Sequence, residues 1–111
     1  MKPVTPFANF EALDIRVGRI MNVEDAATEK PTYRITVDLG PEVGIKKSCA
    51  AFRNYNKEEL MGRLIVAVVN FLPKRMGPEM SEVLILGVPD ARGETIYLTP
   101  ASEVPLGGSI F

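Results

Sequence analysis

Tyr33, Ile35, Val37 and Leu39 alternate with Arg34, Thr36 and Asp38, the cleanest period of two in the chain. That pattern predicts a strand with one apolar and one polar face, stopped by Gly40-Pro41. Asp14–Glu24 predicts a longer strand. Ile15 and Val17 share one parity, Ile20 falls on the other, and Gly18 beside the phase shift predicts a bulge or sharp bend. A long, bent first strand is what a small closed barrel needs. Ile45–Ala51 predicts a third strand, with Ile45, Lys47, Cys49 and Ala51 on one face and Lys46, Ser48 and Ala50 on the other. The near-continuous apolar stretch of residues 63–71 predicts a fourth, buried on both faces. Val83–Leu86 and Thr95–Leu98 predict two further strands, with Leu72–Ser81 as a long loop.

Two helical signals interrupt this pattern. Thr5-Pro6 predicts a helical turn with Thr5 as cap, Pro6 at its first position, and Phe7 and Phe10 on one face. Residues 56–62 predict a short helix. Asn56 caps it, Glu58 and Glu59 suit its positive end, and Gly62 terminates it. The chain reads as one domain over residues 1–111, with residues 1–13 and 100–111 as flanking extensions available for dimer contacts. The expected fold is all-β: a five-stranded Greek-key OB-fold barrel. A short helix lies between strands three and four, and the ends carry a helical turn and a C-terminal strand or tail. In that fold, ligands bind on strands two and three and in the loops after strands one and four.

Composition narrows the chemistry. There is no His, and Cys49 is the only cysteine. That removes Ser-His-Asp and Cys-His pairs, imidazole metal sites and multi-thiolate zinc. Glu24-Asp25 and Glu58-Glu59 are sequence neighbours with no implied cleft, so they make poor acid–base pairs. No catalytic residue, metal or cofactor is expected. The longest apolar run, Leu64–Val69, is six residues, far short of the roughly 20 that span a bilayer. No signal-peptide stretch opens the chain, so a cytoplasmic protein without membrane insertion is expected.

The net charge of −1 conceals an asymmetry. Residues 46–75 carry seven basic and two acidic side chains, while the flanking thirds are net acidic. Lys30, Arg34, Lys46, Lys47, Lys74 and Arg75 all fall on the strands and loops where an OB-fold binds ligands. Charge and fold, read separately, point to one face that attracts phosphates.

Asp14-Ile15-Arg16-Val17-Gly18-Arg19-Ile20, Val37-Asp38-Leu39-Gly40 and Glu59-Leu60-Met61-Gly62-Arg63 resemble the OB-fold tRNA-binding domain. That domain occurs in free-standing proteins and is appended to some aminoacyl-tRNA synthetases. Asn70-Phe71-Leu72-Pro73-Lys74-Arg75-Met76 followed by Ser81-Glu82 resembles its signature loop. Lys30-Pro31-Thr32-Tyr33, Gly44-Ile45-Lys46-Lys47-Ser48, Val68-Val69-Asn70-Phe71 and residues 81–89 resemble the CsaA-type branch, described as export-related chaperones. The chain lacks the Gly-Met pair after the signature serine and the first-loop His-Pro of the synthetase type, in keeping with that branch. The resemblance implies a homodimer that binds tRNA by shape. It also implies binding of unfolded or preprotein segments, with the export machinery as a partner.

Lys46, Lys47, Ser48, Asn70, Lys74, Arg75 and Ser81 form the candidate tRNA-binding set. The cations engage the RNA backbone without reading sequence. Asn70 and Ser81 either bond a ligand or close the loop on itself. Glu82 would repel phosphate, so it is expected to orient Arg75 or Lys74 or to bond a backbone N–H. Phe7, Phe10, Met76 and Met80 are the candidates for peptide binding or dimer contact, methionine being adaptable to irregular apolar partners. Phe52, Tyr55 and Phe71 either stack bases or serve the core, with Phe71 assigned to the core because it ends a buried strand. Cys49 is expected to be a small buried residue.

Overall fold

The computed structural model describes residues 1–111. Its centre is a five-stranded antiparallel sheet built from β1 (Ile15–Asp25), β2 (Tyr33–Asp38), β3 (Ile45–Ala50), β4 (Leu64–Val68) and β7 (Leu84–Ile85), curled into a nearly closed barrel. The spatial order β3-β2-β1-β4-β7 places β4 beside β1 and not beside β3, which is the Greek-key arrangement. Twelve buried residues fill the barrel, among them Ile20, Ile35, Val37, Leu39, Phe52, Leu60 and Ile65. The alternation in β2 is realised fully: Tyr33, Ile35 and Val37 point inward, and Arg34, Thr36 and Asp38 point outward. The short helix α3 (Lys57–Leu60) lies between β3 and β4 as expected, with Glu59 accepting the N–H of Asn56 at 2.8 Å. No helix is long and apolar enough to cross a membrane.

The bend in β1 divides between two residues. Val17 and Gly18 are both buried, so the parity change occurs at Gly18. The register shift against β2 falls three residues later, at Met21, between the pairs Ile20–Val37 and Asn22–Thr36. Gly18 serves close packing: a Cβ there would lie 2.5 Å from Val37 Cγ1 and 2.7 Å from Leu39 Cδ2. The bulge that bends the ladder needs no glycine.

Four other expectations change. The first helix, α1 (Ala8–Glu11), starts beyond Thr5-Pro6, and Phe7 occupies its cap position. The Thr5 hydroxyl instead accepts from the Asn9 side chain. Gly40-Pro41 ends β2 by opening a single helical turn, α2 (Gly40–Val43), with the proline in its first turn. Residues 72–81 are not an open loop: β5 (Lys74–Met76) and β6 (Glu79–Ser81) form a hairpin turning at Gly77-Pro78. After β7, a second hairpin pairs β8 (Gly87–Pro89) with β9 (Thr95–Tyr97).

The C-terminal tail extends the sheet. Gly107 N–H donates to Val17 O, Val17 N–H donates to Gly108 O, and Ile110 N–H donates to Ile15 O, at 2.8–2.9 Å. The tail thus takes the place beside the first residues of β1 that β2 occupies beside the later ones. Arg16 holds it there, donating to Asp14, to Glu42 and to Gly107 O.

Candidate nucleic-acid interface

The barrel closes through the segment after the β5–β6 hairpin, and this closure builds the site. Glu82 N–H donates to Lys47 O at 2.8 Å, while the Glu82 carboxylate accepts the Lys47 N–H at 3.0 Å. The Ser81 hydroxyl accepts the Cys49 N–H at 3.1 Å and donates to Val83 O at 3.3 Å. Ser81 and Glu82 therefore stitch the open edge of β3 to the strand that follows. Of the roles open to Glu82, the structure shows bonding to a backbone N–H.

Asn70 is also committed within the chain. Its carbonyl accepts from Asp14 N–H and its amide donates to Ala12 O, each at 2.9 Å. It ties the end of β4 to the turn between α1 and β1.

Two adjoining grooves cross the outer face of β3. The first, about 430 Å³, is mostly apolar; Phe71, Leu72, Met76, Val83 and Leu84 line it, with Lys74 among its polar residues. The second, about 590 Å³, runs between the Ala27–Thr32 stretch of the β1–β2 connection and the Met76–Pro78 turn, over Cys49 and Ala51. Lys30 is among its lining residues. Cys49 and Met76 belong to both, so the grooves form one track. These are the strand-three face and the two loops where an OB-fold takes its ligands.

The candidate cations divide around this track. Lys47 is exposed on the outer face of β3, beside Cys49 in the alternation. Lys46 and Ser48 have the opposite parity. Lys46 is half-buried, and Ser48 is inside the barrel at 1% exposure, out of reach of a surface ligand. Lys74 and Met76 line the first groove, so strand alternation turns Arg75, opposite Met80 in the register, to the other side of the hairpin. Met80 is exposed. Arg16, Arg19, Arg34, Arg53 and Lys57 are paired with carboxylates. No carboxylate lies within ion-pair distance of Lys30, Lys46, Lys47, Lys74 or Arg75, so they keep their charge for a partner.

The sequence reading missed Glu79. It is buried, and its carboxylate grips Arg34 Nη1 at 2.9 and 3.0 Å. Hydrogen bonding from Arg34 holds the Glu79 carboxyl below its usual range, with the Ala27 N–H and Lys47 adding to the effect. Arg34 is gripped by Glu24 as well, and both acids raise its pKa. The neighbouring Cys49 is half-buried and lines both grooves, not fully buried as expected, and its thiol pKa is pushed up, first by burial and then by Glu79. Nothing in the sequence singled Glu79 out, because it is one of five acids in the acidic final third and its burial comes from the fold.

The aromatic residues separate cleanly. Phe52 is 2% exposed and contacts Tyr55 and Tyr97 edge-on, so it belongs to the core. Phe71 does not: it is 47% exposed in the first groove, because β4 ends at Val68 and the chain leaves the barrel before reaching it. Phe7 and Phe10 sit together on α1 with ring centroids 5.7 Å apart, both exposed. No cluster of three or more His, Cys, Asp or Glu side chains is placed to hold a metal ion.

The family described as "Putative tRNA binding domain" matches residues 15–109. The methionine–tRNA ligase of Methanothrix thermoacetophila is 37% identical over 109 residues, which is 98% of this chain and 16% of the ligase. That of Pyrococcus abyssi is 38% identical over 106 residues, 94% of this chain and 14% of the ligase. The chain therefore spans only about one-sixth of the length of these curated relatives. Two solved structures match over their whole length. The chaperone CsaA of Bacillus anthracis is 42% identical, covers 98% of this chain and superposes with a TM-score of 0.90. The CsaA chaperone protein of Picrophilus torridus is 38% identical, covers 97% and scores 0.92.

Proposed function

Because the chain belongs to the tRNA-binding domain family, we propose that it acts as a non-catalytic tRNA-binding protein whose RNA backbone lies along the outer face of β3. The observation that carries this placement is the set of unpaired cations bordering one continuous track. Lys30 lies at the second groove, Lys74 at the first and Lys47 on the strand between the two loops. Phosphates take the place of the missing carboxylate partners, and each neutralised phosphate releases counterions. Phe71, exposed beside Lys74, offers a ring for an unpaired base. Two copies joined through Phe7, Phe10 and the chain ends would present two such tracks to one folded RNA.

The test is a titration of labelled tRNA across a salt series, with double-stranded DNA of equal mass as competitor and light scattering for the protein's mass. The expected result is binding that prefers tRNA, weakens steeply with salt and occurs at dimer mass. Absence of binding at low salt contradicts the reading.

A second reading has its own observation. The first groove is apolar, and Leu72 at its edge is 91% exposed, a surface suited to an extended apolar polypeptide. The full-length likeness to two CsaA chaperones points the same way. An unfolded or preprotein segment held there would compete with RNA for Met76 and Cys49.

A further inference from the structure

A buried carboxylate on a face meant for phosphates opposes binding by charge alone. Glu79 is such a group, yet its contacts span three separate segments. It lies on β6 of the hairpin and grips Arg34 on β2 at 2.9 and 3.0 Å. It also reaches the Ala27 N–H, in the connection between β1 and β2, at the 3.5 Å limit of a hydrogen bond. The Cys49 thiol lies 4.0 Å away on β3. The β1–β2 connection, β3 and the hairpin line the second groove while β2, through Arg34, anchors Glu79 beside it, and Met76 of the same hairpin lines the first groove as well. Arg34 is secured from its other side by Glu24 at 3.3 Å, so the clamp stands on a fixed post.

We propose that Glu79 is a positioning residue for RNA binding. By clamping the Ala27–Thr32 stretch and the Lys74–Ser81 hairpin to β2, it sets the separation of Lys30 and Lys74 so that both engage one RNA backbone together. The inference rests on the reading of this face as the RNA surface. Its physical basis is preorganisation: two mobile loops must be ordered at the moment of binding, whereas clamped loops have lost that freedom already. A cation on a loop left free still meets a phosphate, but no longer in concert with its counterpart across the track.

Two substitutions separate positioning from charge. Glu79→Gln keeps the shape and removes the negative charge. Glu79→Asp keeps the charge and shortens the reach by one methylene. If Glu79 acts only through its charge, Glu79→Gln binds tRNA more tightly and Glu79→Asp binds unchanged. If it positions the loops, both variants weaken tRNA binding, by about tenfold. The slope of log K against log salt then falls by about one, because one cation no longer reaches its phosphate. A residue needed only for folding would not move that slope in protein shown by circular dichroism to be folded.

Should Glu79→Gln fail to fold, Glu79→Asp carries the comparison, since it retains a carboxylate for Arg34. Wild-type or tighter affinity in either folded variant overturns the positioning role and leaves the RNA reading standing. Failure of the wild-type protein to bind tRNA at low salt removes the RNA reading itself.

Discussion

Alanine at Lys30, Lys47 and Lys74 together is expected to weaken tRNA binding about 100-fold near 0.1 M salt and to lower the salt slope by about three, one for each phosphate left without its cation. Lys30 and Lys74 line the track, Lys47 shares the outward parity of Cys49 on β3, and none has a carboxylate within ion-pair distance, so their removal costs the fold little. Lys46 and Arg75 provide the contrast. Both are equally basic and lie in the same third of the sequence, but Lys46 shares the inward parity of β3 and Arg75 faces away from Lys74. Alanine at those two is expected to weaken binding much less. Filter binding across a salt series measures both sets. Equal losses would mean that diffuse charge, not this track, holds the RNA.

Phe52→Ala is expected to have the largest effect on stability, about 3–5 kcal/mol. Phe52 is 2% exposed and packs edge-on against Tyr55 and Tyr97 at centroid distances of 6.3 and 6.4 Å. A Cβ on Gly87 would lie only 3.3 Å from its ring, so β8 is packed against it closely. The ring joins the segment after β3 to the β8–β9 hairpin, and the void left by alanine cannot collapse without moving both. A small domain has about 5–15 kcal/mol in all, so the variant should lose a large fraction of its stability and unfold at a much lower urea concentration. Urea titration followed by circular dichroism measures the loss. A change below about 1 kcal/mol would show that the ring is not part of the core.

The barrel was largely legible because its strands obey a period of two and its helix carries both a cap and an acidic first turn. Tyr33–Leu39 has one pattern and one solution: its apolar parity fills the barrel. The places where reading failed are those decided by tertiary contact. Residues 72–81 look like a loop because Pro73, Gly77 and Pro78 break every period, yet Gly77-Pro78 is the turn of a three-residue-arm hairpin. Phe71 follows an apolar run and so reads as core, but the strand stops at Val68 and the ring emerges into the groove.

The site was legible in its charge and less so in its geometry. The basic middle third led to the β3 face of the barrel, because the loops and strands that bind ligands in this fold are those that carry the cations. Separating Lys46 from Lys47 needed only the parity of β3, which the sequence contains. Finding the intrachain partners of Asn70 and Ser81 needed the fold. Each bonds partners far away in sequence: Asn70 reaches Ala12 and Asp14, and Ser81 reaches Cys49. Glu79 was invisible for the same reason, since its partners Arg34 and Ala27 lie 45 and 52 positions away.

The placement of RNA on β3 is tested most directly by mapping amide chemical-shift changes as tRNA is added to isotope-labelled protein. Changes concentrated in residues 27–32, 45–51 and 71–84 are expected, with residues 57–63 and 90–103 little affected. Changes centred instead on residues 1–13 and 104–111, with the β3 track silent, would contradict the placement.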